Sequence, residues 1–415
     1  MIREPDHHMA TDPFARRTGH LGCPALRPAM WAIVCLTVLG SQAFGSPAPA
    51  GRPDQQGSRP DAPRTSISVV LPPAGLLHDA WQALSADDID RATALLDQAA
   101  RAEPNNPLVY LARGLVAMRS GQSASAVESL TRALTLRPGL TPASIVLGEV
   151  FYERGELEAA IQAYKAAVAR APGDARLSAR LERWQQEAAL HATFFRSDGS
   201  HFTVLFEGPA EHARAQHAID VLESAYDRIS TTLLTFPADP ITVVFYTRDQ
   251  FRDITRSPQW SGGVFDGRIR IPLQGAEKDP RELERVLTHE FVHALVRSVA
   301  PRGVPTWLNE GLAGYFEPGG EARARAMAAG GGRRLRLAAL AGSFAGLPEG
   351  DVPLAYAQST LAVSAMIARA DPLAVMALLA DLAAGTEFSE SFVQRFGIRV
   401  ADFEREMLAT SAPAR

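Results

Sequence analysis

From residue 75 to about residue 190 the apolar positions of the chain follow a helical spacing, and the small residues among them recur at one fixed interval. Pro104, Pro138 and Pro172 are 34 residues apart, and the same step links Ala92 to Ala126 to Ala160, Ala99 to Ala133 to Ala167, Gly114 to Gly148, and Gly121 to Gly155. Several independent positions sharing one period are the mark of a stacked repeat. The small residues let two antiparallel helices approach closely, the glycines loosen the turn between them, and the prolines stop the second helix before the next begins. About three copies are predicted across residues 75–173, with a helix through Gln186 capping the stack. Asp87 stands in the first copy where Gly121 and Gly155 stand later.

Beyond residue 190 the pattern becomes mixed. His201 to Phe206 alternates as a strand, Ala210 to Leu233 reads as one long amphipathic helix, and Ile241 to Tyr246 and Ile269 to Leu273 are further strands. Pro272 predicts an edge position for the last of these, because its missing donor would break a central ladder. The glycine-flanked span 319–332 reads equally as a mobile lid or as an unrestrained surface loop. Four helices, over 361–370, 372–382, 388–396 and 401–408, complete a helical lower half whose periodic Leu, Val and Phe positions read as core.

Composition narrows the function classes. The chain has 415 residues, 46% of them apolar and 21% charged, enough for at least one large core and for two or more folded units. A net charge of -4 offers no broad cationic surface, so nucleic acid is excluded as the expected partner. Arg16, Arg17 and Arg27 precede the apolar run Ala29 to Leu39, and small residues follow through Gly45, the order of an export signal. Residues 1–45 are therefore read as a signal peptide, with a retained amino-terminal anchor over residues 29–40 as the alternative, which alone would bring membrane association. The expected location is periplasmic or elsewhere in the cell envelope. Residues 46–74, rich in Pro, Gly, Arg, Ser and Asp, read as a flexible linker. Cys23 and Cys35, the only cysteines, would leave with the signal, so any metal in the mature chain must be held by His and carboxylate groups.

The candidate chemistry lies in Leu287-Thr288-His289-Glu290-Phe291-Val292-His293-Ala294-Leu295-Val296. On a helix, residues four apart share a face, so His289 and His293 can present their imidazoles to one ion, with Glu290 beside them within reach of a water. Phe291, Val292, Leu295 and Val296 form an apolar face that buries the helix. Seventeen residues after His293, Glu310 lies on a second predicted helix, Pro305 to Phe316, far enough for a loop at Arg302-Gly303 to turn the chain back. Two imidazoles and a carboxylate form a catalytic zinc set.

With these residues in place, the chain resembles the gluzincin metallopeptidases, and more narrowly the bacterial peptidase-MA-like domains, whose signature is a His-Glu-x-x-His helix followed by a Trp-Leu-x-Glu-Gly helix. Trp307-Leu308-Asn309-Glu310-Gly311 supplies the second motif. The 34-residue unit resembles the tetratricopeptide repeat. These resemblances imply an α+β zincin-like domain over residues 190–410, with a small sheet and an active-site helix, behind an all-α repeat solenoid over residues 75–189. They imply Zn2+ on His289, His293 and Glu310, Glu290 as general base, and hydrolysis of a peptide or protein substrate. Tyr356, at about the relative position where related peptidases carry a helical tyrosine, is the candidate oxyanion donor. Trp307 and Asn309 are read as packing or supporting groups. The segment from Gly262 to Phe265 and the strand through Ile271 are expected to form a rim on which an extended peptide pairs. The repeat groove is expected to select or position a protein partner. Two other readings of the whole stand beside this one: a repeat scaffold with a catalytically idle metal domain, and a zinc-stabilised structural domain.

Overall fold

The structure is a computed structural model that describes residues 74–237, 240–255, 262–273, 280–330 and 334–410, with the backbone of three strands ahead of them. Those strands are β1 (Ala32–Val38), β2 (Phe44–Gly45) and β3 (Thr65–Leu71). β1 and β3 form an antiparallel pair. Within the segment read as a linker, Thr65–Leu71 is thus a strand, while most of the export signal and the rest of that linker lie outside the described residues.

Seven helices follow: α1 (Leu76–Ser85), α2 (Ile89–Ala102), α3 (Pro107–Arg119), α4 (Ser123–Leu136), α5 (Thr141–Glu153), α6 (Leu157–Arg170) and α7 (Ala175–His191). They are three helix pairs and a cap, in the registers set by the 34-residue period. The small residues do what that period requires. A Cβ on Gly114 would run into Leu130 across the α3–α4 pair, and one on Gly148 into Tyr164 across α5–α6. Asp87 takes the same left-handed backbone (φ 59) as Gly121 (φ 70) and Gly155 (φ 81), so the turn geometry survives the loss of the glycine. Short acidic residues tolerate that region better than most.

The second unit is mixed. β4 (Phe195–Asp198) and β5 (Phe202–Phe206) lead into α8 (His212–Leu233), β6 (Ile241–Tyr246), α9 (Arg248–Thr255), β7 (Val264–Phe265) and β8 (Ile269–Pro272). The sheet runs β2-β7-β8-β6-β5-β4, with β5, β6 and β8 parallel and the other pairings antiparallel. The last sequence-predicted strand is therefore internal, not at an edge. Pro272 is accommodated because β7 pairs only with Ile269 and Arg270, leaving the end of β8 with β6 alone beside it. β4, whose exposed alternation carries little apolar signal, has no counterpart in the sequence reading.

Below the sheet lie α10 (Pro280–Val299), α11 (Thr306–Phe316), α12 (Gly320–Ala329), α13 (Val352–Arg369), α14 (Pro372–Ala383), α15 (Phe388–Phe396) and α16 (Val400–Thr410). The span read as a lid or loop is thus mostly the helix α12, whose Ala-rich sequence and Glu321–Arg325 pair one turn apart outweigh its flanking glycines. Among the described residues, no single helix is long and apolar enough to cross a membrane.

One apolar core joins the sheet, α8, α10 and the lower helices. Phe291 of α10 meets Phe202 edge-on at 5.5 Å, and Trp307 of α11 meets Phe388 edge-on at 5.8 Å. α11 approaches α13 so closely that a Cβ on Gly311 would strike the Ser359 carbonyl and one on Gly314 the Thr360 hydroxyl. Replacing a helical glycine by alanine normally stabilises by about 1 kcal/mol. At Gly311 the sign should reverse: Gly311→Ala is expected to destabilise the fold by about 2 kcal/mol through overpacking, measured by chemical denaturation. An unchanged or raised stability would show that the two helices are not in backbone contact there.

Candidate metal centre

Rigidity comes before chemistry at this site. Residues 285–296 of α10 are buried without interruption, so the helix is enclosed on every side and its side chains cannot swing into solvent. His289 and His293, one turn apart, set their rings at 88° with centroids 4.8 Å apart. α11 crosses back after the turn at Gly303 (φ 77) and delivers Glu310 between them. Its Oε2 lies 3.4 Å from His289 Nε2 and 3.5 Å from His293 Nε2. These residues are each no more than 2% exposed, and one donor atom from each lies within 4.8 Å of the others.

The donor set can be tested for fit. His289 Nε2 and Glu310 Oε2 are buried and make no hydrogen bond. Polar atoms left so in a protein interior are destabilising, and a divalent cation satisfies them together. Two imidazoles and one carboxylate, with no thiolate, suit zinc and leave a fourth position open. The electrostatics agree. Burial works against the charge on Glu310, yet His293 and His289 hold its carboxyl down at about 2. Burial likewise lowers the affinity of His289 for a proton, but Glu310 and Glu317 more than offset this and raise it to about 10. The pocket is thus strongly cation-seeking.

Glu317 is a residue the sequence reading missed. It ends α11, and its Oε2 is 3.6 Å from His289 Nδ1, on the opposite side of the ring from Glu310. Arg285 at 2.8 Å and Arg323 at 2.7 Å grip the same carboxylate. Burial alone would raise its pKa, and His289 and the two guanidiniums bring it to about 2. At that distance the carboxylate acts on the ring by its charge, which favours a proton on Nδ1 and leaves Nε2 to face Glu310. The signal was available: seven residues, two helical turns, separate Glu310 from Glu317, so both fall on one face of α11.

Glu290, fully buried, lies beside the ligands against the start of the β7 rim: a Cβ on Gly263 would stand 3.0 Å from both its Cγ and its Oε1. Phe265 of β7, with His293, Val296, Ala300, Val304 and Asn309, lines a partly open cleft that reaches one of the ligands, His293. The outer side of β7, where an extended peptide was expected to pair, carries β2 through Phe44↔Phe265 and Gly45↔Val264. Trp307 is buried packing, while Asn309 reaches the cleft wall. Tyr356 is half-buried near the start of α13, its ring edge-on to Phe344 at 5.2 Å, on the helix that packs against α11.

Residues 225–410 match the Peptidase MA superfamily, a span that contains both helices of the centre. The chain carries a peptidase-MA-like domain. Its His289, His293 and Glu310 are a metal site of the gluzincin type, with Glu290 beside them, and the domain is a zinc metallopeptidase. Residues 80–141 and 111–175 match the tetratricopeptide repeat, so the repeats precede the peptidase-MA-like domain in one chain. No curated protein matches the chain. The match to the peptidase-MA-like domain begins inside α8, yet β4 and β5 belong to the same sheet and extend that unit back to Phe195.

Glu317→Gln is expected to weaken zinc binding by about 10- to 100-fold while Glu310 stays in place. Competition against a fluorescent chelator measures this. Unchanged affinity would mean that Glu317 serves only its two arginines.

Proposed function

We propose that this chain hydrolyses peptide bonds in a peptide or protein of the cell envelope, with zinc held by His289, His293 and Glu310. The observation that carries the reading is the placement of Glu290: a buried carboxylate next to His289 on the helix that supplies two of the three metal donors. When bound, zinc supplies Lewis acidity toward a carbonyl and a water. Glu290 takes the proton from the attacking water and hands it to the leaving amine, as a general base and then a general acid. Enclosure of α10 keeps that carboxylate in one place, so little reorganisation is needed at the moment of reaction. Tyr356 is proposed to donate to the oxyanion, because α13 lies against the helix that carries Glu310.

The envelope location rests on the basic, apolar and small-residue order of residues 1–45. The protein-partner role of the repeats rests on their family and on the groove such stacks present.

Glu290→Gln should retain zinc by elemental analysis and lose peptide hydrolysis by about 100-fold or more. Tyr356→Phe should lower kcat by about 100-fold with little change in KM. A zinc-loaded wild type that cleaves nothing in a broad peptide library would refute hydrolysis, and full activity in the Tyr356 variant would remove that residue from the mechanism.

A further inference from the structure

The rim that backs Glu290 is built from two parts of the chain, and its outer half belongs to the repeats. The β7–β8 hairpin carries Arg268 and Arg270, respectively 3% and 0% exposed. Both reach out of the peptidase-MA-like domain to Glu187 on the capping helix α7: Arg268 Nη1 donates to its Oε1 at 2.6 Å and Arg270 Nη1 at 2.8 Å. Tyr152 at the end of α5 closes the ring, donating to Glu187 Oε2 at 2.9 Å and accepting from Arg270 Nη2 at 2.9 Å. Its ring stacks on Trp184 at 4.6 Å, with Arg268 5.3 Å from its centroid. Asp266 accepts from Arg270 Nε at 2.8 and 3.0 Å, and Tyr246 from its Nη1 at 2.8 Å. Two carboxylates thus balance two guanidiniums in a largely buried cluster. The backbone adds its own contact, because Gly267 at the hairpin turn lies so close to Glu153 that a Cβ would strike the Glu153 carbonyl.

This clasp leads to the catalytic carboxylate in few steps. Arg270 is the register partner of Val264, and Val264 follows Gly263, the residue against Glu290. β8 is anchored by its pairing with β6, but β7 is only two residues long, so the position of the hairpin turn and of β7 depends on what else holds them. A buried charge cluster gives them one geometry only, since any shift leaves a guanidinium unpaired.

We propose that Glu187, outside the peptidase-MA-like domain, is a positioning residue for catalysis: through Arg268 and Arg270 it holds the β7–β8 rim, and with it Gly263, against Glu290. The repeats are then a wall of the active site and not a detachable adapter. This rests on the hydrolytic reading for its kinetic consequence, but its structural consequence does not.

The test compares wild type, Glu187→Gln, Tyr152→Phe and the charge-balanced double variant Glu187→Gln with Arg268→Gln, all full-length and zinc-loaded. In Glu187→Gln, amide exchange at Gly263 to Phe265 should quicken by roughly tenfold while residues 286–296 keep their protection. On a short peptide its kcat should fall by roughly tenfold with KM within about threefold of wild type and zinc content unchanged. The double variant balances the charge but leaves the clasp broken, so it should keep most of both losses, and a full recovery would show that an unbalanced buried charge, not lost positioning, was the cause. If Glu187→Gln fails to fold, Tyr152→Phe, which keeps all four charges, should show the same localised exchange at about threefold. Unchanged rim exchange in whichever variant folds overturns the proposal, as does a fall in activity that only tracks zinc loss. Should the wild type cleave nothing, the hydrolytic reading fails, and the exchange data still decide the role of Glu187.

Discussion

Everything in the second unit answers to one constraint: two imidazoles and a carboxylate, each no more than 2% exposed, must meet in the interior. An isolated buried charge is costly enough that proteins neutralise it or avoid it. Here Glu310 is 2% exposed and stays ionised because His289 and His293 face it from one turn apart. A metal resolves the arrangement fully, since it offers each donor a partner at once. The surrounding core then holds the donors where the ion wants them.

That holding is done by close packing. α10 is enclosed through Phe291 against Phe202 and Tyr226, so the histidines project from a helix without freedom to turn. α11 reaches its place because Gly311 lets it press on the backbone of α13 and Gly314 makes room for the Thr360 side chain. The glycine after the metal-binding glutamate in the Trp-Leu-x-Glu-Gly motif is therefore a packing requirement, and the motif records both the ligand and the contact that sets its depth. Behind the ligands a second tier of charge appears, with Arg285 and Arg323 on Glu317 and Glu317 on His289. The base has support of another kind: Gly263 walls Glu290, and the hairpin behind it is clasped by Glu187 from the repeats.

What was legible in the sequence was what repeats or what is local. The 34-residue period fixes helix pairs by itself, down to the turn where Asp87 replaces a glycine. The His-Glu-x-x-His spacing fixes two ligands because helical geometry leaves no choice, and Glu310 follows from its motif. Long-range polar pairing was not legible. Arg270 lies 83 positions from Glu187, and no local pattern joins the two, although both are fully buried. The internal place of β8 was hidden for a related reason, since Pro272 signals an edge and only the shortness of β7 removes the conflict. α12 was hidden by its glycines, which mark the ends of that helix and not its middle.

The most direct test of the account is the zinc K-edge absorption spectrum of the zinc-loaded chain. Two imidazole nitrogens and one carboxylate oxygen from the protein, at about 2.0–2.2 Å with one further light atom, is the predicted shell. The same spectrum from Glu310→Ala should lose the carboxylate contribution. A six-oxygen shell, or a spectrum indifferent to Glu310, would contradict the claim that these three buried donors form the metal centre.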